Sequence, residues 1–310
     1  MPANLLSLSA IGMPPAPKRP HTHTHTLPRD PLSVLIGTAV VHTYIHNTIQ
    51  MKHNYTFTLR RTFSAVLLLL FSTFLWADGF ESGDICYSIN ADGTSVTVAR
   101  YRTKVYSGDV VIPFTVAHEC KTYGVTGIGD GVFAKCTSLT SISLPGSLTS
   151  IGDAAFARCT SLTSISLPNG LTRIGDTAFF GCSSLTSIFF NDGLKRIERF
   201  AFIGCSSLAS ISLPDGLKSM GDGAFGGCTT LTSISLPGSF AYIGNFAFEA
   251  CSSLTTVTCR AEYVSECGTN VFKETPTEKV TLYVPSHALS RYREADQWKD
   301  FGTIRPLKVD

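Results

Sequence analysis

The stretch LTSISLPNGLTRIGDTAFFGC, Leu162 to Cys182, recurs along the chain with a period of 23 residues. Its closing cysteine repeats at Cys136, Cys159, Cys182, Cys205, Cys228 and Cys251. Its phenylalanine repeats at Phe133, Phe156, Phe179, Phe202, Phe225 and Phe248, and its first leucine at Leu139, Leu162, Leu185, Leu208, Leu231 and Leu254. Three residue types holding one step through six occurrences define an array of five complete units, 139–161, 162–184, 185–207, 208–230 and 231–253, with partial units on either side. Self-similarity at such a period is the mark of a stacked repeat architecture.

Within a unit, apolar residues stand at positions 1, 4 and 6 of LTSISLP, and positions 4 and 6 (Ile142 and Leu144) alternate as in a short strand. A turn follows, as in Pro168-Asn169-Gly170 and Asn191-Asp192-Gly193. A leucine (148, 171, 194, 217) and an isoleucine (151, 174, 197, 243) come next, then in most units a Gly-Asp pair. Asp153-Ala-Ala-Phe156 reads as a one-turn helix with the aspartate as its N-cap. A single unit cannot bury its own apolar face. Stacking equivalent positions at about 4.8 Å, the spacing of neighbouring strands, merges the Leu, Ile, Phe and Cys ladders into one core. The expected fold is an α/β solenoid, right-handed, with a narrow parallel sheet along one side, short helical turns, and a cap at each end.

At these residues the sequence resembles the leucine-rich repeat superfamily, whose strand signature is L-x-x-I-x-L. The 23-residue unit is more specifically similar to the Treponema-type, BspA-like subfamily, L-x-x-I-x-L-P-x-x-L-x-x-I-G-x-x-A-F-x-x-C, as in Leu162 to Cys182. The common asparagine ladder of the superfamily is replaced by Ser147, Gly170, Gly193 and Gly216. Asp109-Val-Val-Ile-Pro113 with Tyr123-Gly-Val-Thr-Gly-Ile128 resembles the family's leading segment, and Val280-Thr-Leu-Tyr-Val-Pro285 with Ala295-Asp-Gln-Trp298 its closing one. The resemblance covers about 86–307. It implies a secreted or surface-exposed bacterial protein, with the periplasm as the alternative location, that adheres to host matrix or cell-surface proteins.

The two ends of the chain are different polymers. Residues 1–77 hold six of the 25 Lys and Arg but only Asp30 of the 23 acids, so residues 78–310 carry 19 basic against 22 acidic side chains, a net −3. Residues 51–77 read as a signal peptide: Met51, then basic Lys52, Arg60 and Arg61, an apolar run from Phe63 to Trp76, and the small Ala77. The run is too short for a stable bilayer span. The alternative is an uncleaved N-terminal anchor, so any membrane contact comes through this segment alone. Residues 1–50, with Pro-rich stretches and the run His21-Thr-His-Thr-His-Thr26, are expected to be a disordered extension or to precede the true start at Met51. The remaining organisation is an N-terminal cap over 78–122, the solenoid over 123–258 and a C-terminal cap over 259–310. High apolar content with a net charge of +2 excludes a disordered chain, and no excess basicity points to nucleic acid.

Ten cysteines in an exported chain suggest disulfides. The six in the ladder point side by side into a core, which favours small buried thiols, and Cys259 falls on a core position. Cys86, Cys120 and Cys267 are left, and Cys86 with Cys120 is the candidate pair. No clustered CxxC pairs suggest zinc. Beyond residue 77 there are two histidines, His118 and His287, at opposite ends of the array and roughly 30 Å apart by strand spacing. The array serines therefore have no base, and no G-x-x-x-x-G-K loop is present. Catalytic, cofactor and metal sites are not expected, and the recurrent Asp130, Asp153, Asp176 and Asp222 read as turn caps rather than ligands.

Two surfaces are candidates for a partner. Strand positions 2, 3 and 5 face outward and carry Ser and Thr almost throughout, with Phe189 as the single aromatic; such a residue is either an interface anchor or simply exposed. Positions 11, 12 and 15 gather Arg173, Lys195, Arg196, Arg199 and Lys218 on successive units. That basic patch would dock an acidic protein or acidic polysaccharide, or it merely relieves repulsion among the aspartates. The function expected is non-catalytic protein binding or adhesion. The alternatives are a passive structural module, or carbohydrate recognition by the hydroxyl-rich face.

Overall fold

The computed structural model describes residues 79–100 and 104–307. The readings for residues 1–50 and 51–77 lie outside these residues. Every repeat makes one coil, and stacked coils meet at two runs of parallel strands. One run uses the Leu/Ile positions after the turn: Lys121–Ile128 is followed by Ser150–Ile151, Arg173–Ile174, Arg196–Ile197, Ser219–Met220, Tyr242–Ile243 and Glu266–Cys267, each paired in parallel with the next. Register across the central coils is one repeat, as in Arg173 opposite Arg196 and Ile174 opposite Ile197. At its N-terminal end this sheet is extended by Gly79–Ser82, Ile85–Ile89 and Ser95–Ala99.

The L-x-x-I-x-L segments form the other run, and here the structure departs from the single narrow sheet expected. That side is divided into three: Gly108–Val111 with Leu139–Ser143, Ser164–Ser166 with Ser187–Phe189, and a five-stranded sheet of Ser210–Ser212, Ser233–Leu236, Thr256–Cys259, Thr281–Val284 and Thr303–Pro306. The longer sheet is the one built on two-residue strands, which no alternation pattern can announce because two residues are too short to show a period.

The segment from Asp153 to Phe156 is not a one-turn helix. Ala154 sits at φ 53° and Arg158 at φ 61°, and the same two positions are left-handed in most coils: Gly131, Thr177, Phe200, Gly223 and Phe246 in one column, Lys135, Gly181, Gly204, Gly227 and Ala250 in the other. Left-handed residues cannot propagate a right-handed helix, so each coil closes through a turn bent twice. Described helical structure is limited to Leu289–Glu294 and two short 3-10 turns, Thr277–Lys279 and Ser286–Ala288.

The core is a set of columns. Phe133, Phe156, Phe179, Phe202 and Phe225 stack with centroids 5.1 Å apart and planes within 8°. Phe248 and Phe272 continue the stack, which ends where Trp298 and Phe301 meet Phe272 edge-on at 5.9 and 5.0 Å. Leu, Ile and Ala columns beside it are fully buried. Large apolar area is removed from water at every coil, at about 25 cal/mol per Å2, but only between neighbours, so no coil is stable without the next.

Candidate interaction surface

The cysteine column is structural. All ten cysteines are free thiols. Cys159, Cys182 and Cys205 each donate from Sγ to the carbonyl of the phenylalanine 26 residues earlier, at 3.1, 3.1 and 3.3 Å, and Cys228 and Cys251 do so at 3.5 Å. In the coil after Cys251 the place is taken by Thr275, whose hydroxyl makes the same bond to the Phe248 carbonyl at 2.7 Å. Burial pushes these thiols far up; Cys251 rises to about 12. The pairing considered for Cys86 and Cys120 is not formed: Cys86 is buried in the N-terminal sheet, whereas Cys120 is exposed at the tip of the hairpin Thr115–His118 to Lys121–Ile128. Cys259 is buried and meets the Tyr292 hydroxyl at 3.1 Å.

The aspartate column caps, but not its own coil. Asp130 Oδ1 accepts from the Asp153 amide at 2.7 Å, Asp153 from Asp176 at 3.0 Å, Asp176 from Arg199 at 3.0 Å, and Asp222 from Asn245 at 2.7 Å. Each carboxylate thus satisfies an amide one coil ahead, a partner that becomes adjacent only after stacking. The glycine before it leaves room for this: a Cβ on Gly175 would meet the Asp153 carboxylate and lie 2.7 Å from the Asp153 amide nitrogen.

The basic candidates are brought together. Arg173 faces Arg196 across adjacent strands, and the Lys218 amide bonds the Lys195 carbonyl at 2.9 Å. Acids meet three of them, from the preceding coil for Arg173 and Arg199 and from two residues on for Arg196. Arg173 pairs with Asp153 at 3.0 Å, Arg196 with Glu198 at 3.2 Å, and Arg199 with Asp176 at 2.8 Å. The Asp176 hydrogen bond raises the Arg199 pKa further. Lys195 Nζ reaches the Asp192 carbonyl at 3.4 Å, and Lys218 makes no ion pair among the described residues. Ion pairs this exposed add about 0–1 kcal/mol each, yet they convert a cationic field into a mosaic. The neutralising acids were in the sequence, but a pair such as Arg173 with Asp153 becomes visible only with the register.

On the other side, Phe189 ends the strand Ser187–Phe189 opposite Ser166 and is 67% exposed. Around it the hydroxyls divide into two groups. Thr186, Thr232 and Thr255 donate to the carbonyl one coil back at 3.0–3.1 Å. The hydroxyls of Ser166, flanking Phe189 by register, and of Ser212, one coil further on at the same unit position, make no hydrogen bond among the described residues. The next residue, Phe190, turns inward and meets Phe202 edge-on at 5.7 Å. One aromatic thus packs, partly buried, against the core while its neighbour is held out in water.

His118 stacks on Phe80 with centroids 4.1 Å apart, and His287 lies in the turn Ser286–Ala288. Among the described residues no group of three His, Cys, Asp or Glu side chains is placed to hold a metal ion. No helix among them is long and apolar enough to cross a membrane.

Two features decide the family: the 23-residue coil and its Cys/Phe columns. The model of the BspA type leucine-rich repeat region matches residues 126–229 and 172–292, in six copies. The chain belongs to the BspA type leucine-rich repeat family. Among solved structures, the BspA type chain is similar to a leucine-rich repeat protein of T. pallidum, with 29% identity and a TM-score of 0.53, over 71% of this chain and 93% of that one. A leucine-rich repeat protein of Bacteroides ovatus aligns with 22% identity and a TM-score of 0.42, over 74% and 76%. A leucine rich cell surface protein of Faecalibacterium prausnitzii aligns with 19% identity and a TM-score of 0.38, over 74% and 95%. No curated protein matches the sequence.

Proposed function

We propose that this protein is an exported bacterial repeat protein that binds another protein without catalysis, with Phe189 as the anchor of the contact. One observation carries the reading. Phe189 is a large, exposed aromatic at a fixed point on a rigid, charge-free sheet face, and aromatic anchors of this kind dominate interface energies. Leucine-rich repeat solenoids generally mediate protein binding, which fits. The basic, apolar, then small order of residues 51–77 supports export to the cell surface or its surroundings. The neutralised Arg173–Arg199 region serves coil-to-coil cohesion better than long-range attraction of an acidic partner.

A second reading, carbohydrate recognition, is supported by the serine hydroxyls of Ser166 and Ser212 left free near Phe189, since an aromatic face bordered by hydroxyls also suits a sugar ring. The test is binding of the full chain to immobilised host matrix proteins and glycans. Phe189→Ser is expected to weaken binding to a matrix protein by about 30-fold, the effect of an interface anchor worth about 2 kcal/mol. Arg196→Ala with Lys218→Ala changes it less than about threefold, and added salt has little effect. Unchanged binding by Phe189→Ser overturns the proposal, and loss confined to glycans transfers it to the second reading.

A further inference from the structure

Away from Phe189, the N-terminal end of the molecule holds a cleft of about 820 Å3 lined by residues of the turn Ser82–Ile85, the segment from Lys104, and the strand Gly108–Val111. Three properties of the cleft point to one class of occupant. The strand Gly108–Val111 pairs with Leu139–Ser143 on one side and with no other strand among the described residues, so among these its other edge is open, a template for another extended backbone. Val105 and Val111 beside it are each 67% exposed, which is unusual for valine. Tyr87 and Tyr106 both line the cleft and are buried, and their hydroxyls find no hydrogen-bond partner among the described residues.

Burying such a hydroxyl unpaired costs about 1–3 kcal/mol. Both phenols remain protonated, their pKa values raised by burial to about 12, so each is a donor without an acceptor, one that an occupant reaches once the side chains covering it shift aside. Among the described residues the rim carries Asp84 and Asp109 against Lys104, which is already shared between Glu81 at 3.5 Å and Asp84 at 3.2 Å, while Asp109 accepts from the Thr140 and Ser141 hydroxyls. Asp84 is 97% exposed.

We propose that this cleft is a peptide-binding site, in which a cationic extended segment of a partner protein adds as a strand to the edge of Gly108–Val111. Its apolar side chains cover Val105 and Val111, its basic residues meet Asp84 and Asp109, and an acceptor oxygen, from a carboxamide or backbone carbonyl, takes the Tyr87 and Tyr106 hydroxyls. Main-chain pairing supplies affinity and the alternate side-chain pockets supply selectivity.

The test titrates the full chain into a dansylated octapeptide amide, Lys-Val-Gln-Val-Gln-Val-Gln-Lys, and follows fluorescence anisotropy. Saturable binding is expected with a Kd below about 1 mM. Tyr106→Phe and Tyr87→Phe each weaken it at least about tenfold while leaving thermal stability equal or higher, because an unpaired hydroxyl is removed. Val111→Lys abolishes it, and a peptide with Glu in place of Lys binds at least about tenfold more weakly. Phe189→Ser leaves the affinity unchanged, which separates this site from the face discussed above. No saturable binding up to about 1 mM, or equal affinity in Tyr106→Phe and Val111→Lys, overturns the proposal.

Discussion

Raising the pH from 9 to about 10.5 is expected to unfold this protein with unusual steepness. The six thiols of the column, Cys136 to Cys251, are buried among Phe and Leu side chains, and all are raised above their ordinary value of 9.0, chiefly by desolvation. The unfolded chain releases these protons from about pH 9, whereas the folded chain holds them; even Cys251, a less shifted member, holds its proton to about 12. A group whose folded pKa is raised contributes stability that is complete below the unfolded pKa and is lost as pH climbs toward the folded one. Each of the five strongly shifted thiols, Cys159 to Cys251, therefore removes about 1.4 kcal/mol per pH unit once the unfolded thiol is ionised, together about 7 kcal/mol per unit. Against a stability of about 5–15 kcal/mol, one to two pH units suffice. Denaturant titrations at pH 8, 9, 9.5 and 10 measure the slope. A triple variant, Cys182→Ser, Cys205→Ser and Cys228→Ser, keeps a donor at each position, as Thr275 does naturally, and should at least halve the slope whatever its baseline stability. A stability flat between pH 8 and 10.5 contradicts the prediction.

Phe202→Ala is expected to cost about 4–5 kcal/mol, a third or more of the total. The ring lies between Phe179 and Phe225, 5.1 Å from each and parallel within 7°, and takes Phe190 edge-on. Truncation loses the transfer free energy of the ring, leaves a cavity bounded by rigid backbone, and breaks two stacked pairs and one perpendicular pair, each worth about 0.5–1.5 kcal/mol. Because stability in a solenoid is transmitted between neighbours, the loss at mid-array should also divide one unfolding transition into two. Phe189→Ala, thirteen residues earlier but exposed, should change stability by no more than about 0.5 kcal/mol. Calorimetry of the two variants checks the contrast, and a melting temperature for Phe202→Ala within a degree or two of the parent refutes it.

What could be read without the structure was what repeats within one unit. The Leu, Ile, Phe and Cys columns followed from a constant step of 23, because a residue at a fixed phase in a stacked coil must keep its depth. Contacts between units were hidden. Asp153 looked like a cap for its own turn, since the amide it serves lies at Asp176. Arg173 looked like a free cation, since Asp153, the acid that meets it, belongs to the preceding coil. The two left-handed columns left a partial trace in Gly131 and Gly223 and in Gly181, Gly204 and Gly227, obscured where Ala154, Thr177, Phe200 and Arg158 adopt the same conformation. The two-residue strands carried no periodic signal at all. The N-terminal cleft was illegible for a different reason: Ser82–Ile85, Lys104 and Val111 belong to no repeat, so neither step nor phase relates them.

The six repeat cysteines form a packing column instead of a redox or metal-binding set. Brief treatment of the folded full chain with N-ethylmaleimide at neutral pH, followed by mass spectrometry of each cysteine peptide, tests this most directly. Cys120, exposed at its hairpin tip, should be modified within minutes. Cys136, Cys159, Cys182, Cys205, Cys228 and Cys251 should stay unmodified until denaturant is added, and then react as free thiols. Modification of the column at the rate of Cys120, or its recovery as disulfides, would contradict the stacked core.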